Sequence, residues 1–144
     1  EPYIIRRPEI IHGLRNMIQN AVDFATSKVW VESSWTKESI KITISDDGYG
    51  YPPNLLGRLG DPFLGAKIGK ENRQGYEGMG LGLFIAKTLL ERTGAKISFS
   101  NGHKNQKPSQ SQSAPSGAIV DIYWPRKKVE TTSNLFGENQ NFSI

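Results

Sequence analysis

Apolar residues recur with a helical step early in the chain and then switch to alternation. Between Glu9 and Ala25 they fall at Ile10, Ile11, Leu14, Met17, Ile18, Ala21, Val22 and Phe24, which predicts one amphipathic helix. Pro8 stands where that helix would begin, a place that tolerates proline because the first helical amides lack an acceptor. The preceding "EPYIIRR" reads as a short edge strand. "KVWVESSW" and "SIKITISDD" alternate β-branched or aromatic residues with polar ones and read as strands. Residues 48–79 lose all periodicity and are rich in glycine and charge, as a long functional loop would be. "GLGLFIAKTLLERTG" is apolar around most of its girth and predicts a second helix, closed by Gly94. "AKISFSN" and "AIVDIYWP" are two more strands, with a polar, low-complexity hairpin loop over 103–117 between them. Residues 127–144 carry few apolar groups and are expected to form a flexible tail. The order β-α-β-β-loop-α-β-β predicts an α/β two-layer sandwich: a mixed β-sheet covered on one face by helices.

Bulk properties narrow the functions open to such a domain. The 144 residues fit one domain with its own core. No apolar run approaches 18 residues and no apolar leader opens the chain, so neither a membrane span nor direct membrane contact is expected. The net charge of +4 suits a phosphate-bearing ligand. It is scattered, with no basic run or aromatic–basic alternation that would suit nucleic acid. Cysteine is absent, which excludes disulfides and thiolate metal sites within the chain.

Three stretches carry candidate chemistry, and each has a plainer alternative. On the first helix Gly13, Asn16, Asn20, Asp23 and Ser27 step by three and four and form one polar stripe. A solvated face would favour Glu, Lys and Arg, which this stripe lacks. Asparagine amide oxygens are neutral hard ligands that can help complete the shell of Mg²⁺. "ISDDGYGYPP" ends a strand in acid-acid-Gly-x-Gly. It is either an ordinary turn or a carboxylate placed to accept a hydrogen bond from an exocyclic amine, with glycines that let a planar ligand approach. "GMGLGLFIAK" runs three glycines into a helix, which makes either a hinge or a phosphate site at the positive end of the helix dipole. It is neither a Walker A loop nor a Rossmann fingerprint.

In this order and spacing, the Asn-bearing helix, "DDGYG", a glycine-rich loop containing "DPFLGAK", and "GMGLGL" entering a helix resemble the ATP-binding domain of bacterial sensor histidine kinases. The stretches correspond to that family's N box, G1 box, ATP lid with F box, and G2 box, within the wider ATPase superfamily that includes gyrase, Hsp90 and MutL. "NAVDFA", "DDGYGYPP", "RLGDPFLGAK", "GLGLFIAKTLLERTGA" and "WPR" are similar to the RegB/PrrB/ActS group of redox-responsive kinases.

The resemblance implies a catalytic domain over residues 1–126, with an ATP lid near 51–79, and ATP and Mg²⁺ as cofactors. By position Asn20 is the implied Mg²⁺ ligand, and Asn16 one turn earlier helps hold metal or phosphate. Asp46 rather than Asp47 is the implied acceptor for the adenine amino group, with Gly48 and Gly50 letting the backbone pass the ring. Gly78, Gly80 and Gly82, with the amides of Leu81 and Leu83, are the implied phosphate cradle. Lys67 is either a partner for the γ-phosphate or a solvated loop lysine. Phe24 lies either beside the nucleotide or in the core, and Phe63 is a candidate lid anchor. The phosphoryl acceptor is implied to be a histidine on a separate dimerisation domain of the same kinase, and the product's user a cognate response regulator. His12 and His103 read as surface or structural histidines. The implied location is cytoplasmic, attached to an inner-membrane sensor. Hydrolysing branches of the superfamily carry Glu where this chain has Asn16, so little ATP hydrolysis is expected. The rivals are an anti-sigma-type serine kinase, a non-catalytic nucleotide-gated module and a gyrase-type ATPase.

Overall fold

A computed structural model describes residues 1–60, 79–102 and 117–131, with the backbone alone at residues 55, 79 and 80. The amphipathic run forms helix α1, Pro8–Phe24, with Pro8 in its first turn. The alternating segments form β2 (Val29–Trp35), β3 (Ser39–Asp46), β4 (Lys96–Asn101) and β5 (Ala118–Pro125). The second apolar run forms α2, Met79–Glu91. Gly94, at φ +92°, lets the chain reverse from α2 into β4. Within the expected loop, Pro53–Arg58 winds into a 3₁₀ helix.

The sheet runs β2-β3-β5-β4, and every hydrogen-bonded pair in it is antiparallel. Because β3 and β4 both oppose β5, they point the same way. Helix α2 is their crossover, and β5 slots between them. The sheet's mixed character therefore lies in the β3–β4 crossover and not in any neighbouring pair.

Alternation sets the two faces. Ile40, Ile44, Val120, Ile122 and Trp124 are buried beneath the helices, joined by Ile97 and Phe99. The opposite face carries Lys41, Thr43 and Asp121, with Thr43 Oγ1 donating to Asp121 at 2.6 Å. Leu83, Ala86 and Leu90 repeat on one side of α2 and are buried, as are Ile10, Met17 and Ala21 of α1. Each large aliphatic side chain so buried contributes about 1.5–3 kcal/mol.

The two helices meet at Gly13. A Cβ there would lie 2.5 Å from Leu90 Cγ, so the bare backbone is the notch that Leu90 fills. Gly13 is thus buried at the helix contact and does not belong to the expected polar stripe. The contact joins the start of α1 to the end of α2 while the helices pack along their length, so they run antiparallel.

The structure also departs from the flexible tail expected from residue 127. Arg126–Val129 form a helical turn, α3, and Glu130–Thr131 form β6, which pairs with Tyr3–Ile4 (β1). Val129 is wholly buried, and Arg126 reaches Glu130 through Nε at 3.0 Å and Thr36 O through Nη1 at 2.8 Å. One apolar residue and one fork of hydrogen bonds hold a segment whose composition reads as tail.

Candidate functional site

Asp46 ends β3 on the helix-facing side of the sheet. The residue is 2% exposed. Oδ1 accepts from Gly48 N at 2.8 Å and from Ala118 N at 3.3 Å. Both hydrogen bonds land on one oxygen; among the described residues none reaches Oδ2. Burial pushes this carboxyl above its ordinary pKa, opposed by the two backbone donors and reinforced by the neighbouring Asp47 charge. A buried carboxylate with one oxygen anchored, and the other without a partner among the described residues, can accept one more hydrogen bond.

Two glycines shape that cradle. A Cβ on Gly48 would lie 2.1 Å from the Phe24 carbonyl oxygen, and one on Gly117 would lie 2.2 Å from Asp46 Oδ1. The bare backbone at Gly48 therefore serves close packing between the G1-type turn and the end of α1. At Gly50, φ is +81°, a conformation suited to glycine, and Asn101 Oδ1 fills the space a side chain would take.

The adjacent acid does different work. Asp47 points to the other side of the strand end. Its Oδ1 accepts from the backbone amides of Thr26, Ser27 and Lys28 at 2.8–3.0 Å, and its Oδ2 accepts from Ser27 Oγ at 2.6 Å. The Ser27 hydroxyl and these amides hold its carboxyl well below the usual carboxylate range. Ser27 thereby leaves the polar stripe too: α1 ends at Phe24, and Ser27 belongs to the loop that Asp47 grips. Asp23 accepts from Gln19 Nε2 at 2.9 Å.

Asn16 and Asn20 remain on that stripe, both half-buried, and among the described residues neither amide has a hydrogen-bond partner. Asn20 lies seven residues beyond Gly13, on nearly the same meridian of α1. At Gly13 that line is closed by Leu90. In the antiparallel pair it meets the first turn of α2 at Asn20. A Cβ on Gly82 would touch nothing within 4 Å, so that side of the first turn of α2 is open, while Leu83 beside it is buried. The helix bounds leave the amides of Gly80 and Leu81, in the first turn, without intrahelical acceptors. Leu83 is the fifth helical residue, and its side chain is 1% exposed in the core. It is structural, with its amide inside the helical ladder. Phe24 is half-buried against the core at the end of α1. Gly78, Lys67, Phe63 and His103 lie outside the described residues.

Among the described residues, the structure thus holds a buried acceptor at a strand end, two unpartnered amides on α1 and first-turn amides of α2 without intrahelical acceptors. Sequence reasoning did not single out Gly117, Ala118, Asn101 or the grip of Asp47. Their partners lie 19–72 residues away in sequence. The only local signals were a glycine closing the low-complexity loop and an asparagine closing a strand.

Residues 6–128 match the family model described as "Histidine kinase-, DNA gyrase B-, and HSP90-like ATPase". The chain is 54% identical over 143 residues to "Sensor histidine kinase RegB" of Cereibacter sphaeroides, covering 96% of this chain and 31% of that protein. It therefore spans under a third of the length of the curated relatives it matches first. Among solved structures, full-length ShkA in complex with AMPPNP superposes with a TM-score of 0.63 at 20% identity, covering 92% of this chain and 24% of that one. The mycobacterial sensor histidine kinase MprB superposes with a TM-score of 0.61 at 21% identity, covering 85% and 76%. At these identities the structural likeness is one of fold.

Proposed function

This chain belongs to the histidine kinase-, DNA gyrase B- and HSP90-like ATPase family, as a RegB-like catalytic domain, and from that premise we propose how it works. It binds ATP with Mg²⁺ and donates the γ-phosphoryl to a histidine on a separate dimerisation domain, from which a response regulator takes it. The observation that carries this reading is the Asp46 carboxylate, anchored through Oδ1 with Oδ2 left for the adenine amino group. Gly48, Gly50 and Ala118 shape the purine site around it. The amides of Gly80 and Leu81, at the positive end of α2 and without intrahelical acceptors, bind phosphate oxygens, and Gly82 keeps the backbone bare beside them.

The unpartnered, half-buried amides of Asn16 and Asn20 fit a hard cation, and they are the described residues that would hold it. Mg²⁺, when bound, supplies neutralisation of charge on the phosphates. The chain's own residues position the nucleotide and exclude water; bond-making belongs to the incoming imidazole. Asn16 cannot take a proton from water at neutral pH, so the site holds ATP without hydrolysing it readily.

A redox-responsive role, and attachment to an inner-membrane sensor with this domain cytoplasmic, rest on the RegB/PrrB/ActS resemblance alone. Among the described residues no helix is long and apolar enough to cross a membrane. The test is calorimetric titration with AMPPNP, with and without Mg²⁺. We expect Asn20→Ala to lose the Mg²⁺ enhancement and keep its preference for adenine over guanine. Asp46→Asn should do the reverse. Equal effects of both variants on both readouts would count against the assignment.

A further inference from the structure

Asn101 ends β4 directly across from Ala118. Ala118 in turn lies beside Asp46, one position past the Ser45–Ile119 pair. Asp46, Ala118 and Asn101 therefore form one row across three strands, on the face beneath the helices. Small Ala118 is the floor between two polar side chains about two strand spacings apart, roughly 10 Å.

Asn101 turns both ends of its amide to the backbone of Tyr51. Oδ1 accepts from Tyr51 N at 2.7 Å, and Nδ2 donates to Tyr51 O at 2.8 Å. This is the hydrogen-bond pattern of one added β-bridge, supplied by a side chain. It fixes the residue that follows Gly50, whose missing side chain leaves room for the Asn101 carboxamide. Tyr51 is itself buried and meets Phe99 of β4 edge-on at 5.8 Å. The segment leaving the Asp46 turn is thus clipped to β4, and its backbone becomes the wall opposite the acid.

We propose that Asn101 is a positioning residue for the purine end of the site. By holding Gly50 and Tyr51 across the Ala118 floor from Asp46, it sets the width of the slot that selects the base. It touches no nucleotide. The inference rests on the ATP reading above and adds a residue that governs base selectivity at a distance from the phosphates.

The test uses Asn101→Ala and the near-isosteric Asn101→Asp, which loses the donor to Tyr51 O and places a carboxylate oxygen against that carbonyl. Affinities for AMPPNP and GMPPNP are measured with and without Mg²⁺, and circular dichroism checks folding. Both variants should bind AMPPNP about tenfold more weakly, Asn101→Ala through loss of both hydrogen bonds and Asn101→Asp through loss of one and repulsion between its carboxylate and the Tyr51 carbonyl. Preference for AMPPNP over GMPPNP should fall, while the enhancement by Mg²⁺ stays within about twofold of wild type. If Asn101→Ala does not fold, Asn101→Asp decides. Unchanged base preference, or equal loss of the Mg²⁺ enhancement, overturns the proposal. Wild-type protein that binds no AMPPNP overturns the ATP reading itself, a separate result.

Discussion

Two adjacent acids at the end of β3 show how one strand step separates two tasks. Asp46 faces the core, where burial raises its pKa. Its charged form is therefore disfavoured by folding, and the cost is felt as pH rises through its folded pKa. Replacing it with Asn keeps an acceptor for Gly48 and Ala118 and removes the buried charge. We expect Asp46→Asn to melt at the same temperature or higher at pH 7, while AMPPNP affinity falls by at least about tenfold. Asp47 behaves oppositely, because its pKa is lowered on folding. Its contribution is present above the unfolded value of 3.8 and is lost as pH falls below that toward the folded pKa. Asp47→Ala should lower the melting temperature at pH 7, and the gap to wild type should narrow on acidification below about pH 4. The difference between these acids was partly legible: motif spacing distinguished them, and alternation placed them on opposite sides. Which amides each would bind was not, since those donors come from other loops.

At the level of elements, the α1–α2 contact fixes how the two helices sit on the sheet. The Gly13–Leu90 notch holds the helices together at one end, and at the other end of α2 Gly82 faces open space. Gly13→Ala would drive a methyl into Leu90, and overpacking of this kind costs about 1–3 kcal/mol. Chemical denaturation should show that loss, and Leu90→Ala in the same chain should recover part of it, a coupling measurable by a double-mutant cycle. Additive losses would mean that the two residues do not meet. Periodicity revealed both helices and the four long strands because their apolar repeats are long. It misplaced Gly13, since a glycine in a polar-looking series carries no sign of the side chain that fills its space. The end of the domain was also misread. Val129 is a single buried residue in a basic run, too sparse to register as a pattern.

For the molecule as a whole, the layout separates recognition from chemistry. In the proposed function the base site is the end of the sheet, the phosphate-binding amides open α2, and the acceptor imidazole comes from another domain. Purified protein with Mg²⁺–ATP should therefore release phosphate at no more than background rate, as followed by a coupled phosphate assay. Sustained turnover would favour a gyrase-type ATPase and make Asn16 an inadequate explanation. The most direct measurement of the central claim is an amide NMR titration with Mg²⁺–AMPPNP. The account predicts saturable shifts at Gly48, Ala118, the Gly80–Gly82 backbone amides and the side-chain amides of Asn16 and Asn20, all with one dissociation constant. Shifts confined to the open face of the sheet, around Lys41, Thr43 and Asp121, would contradict it.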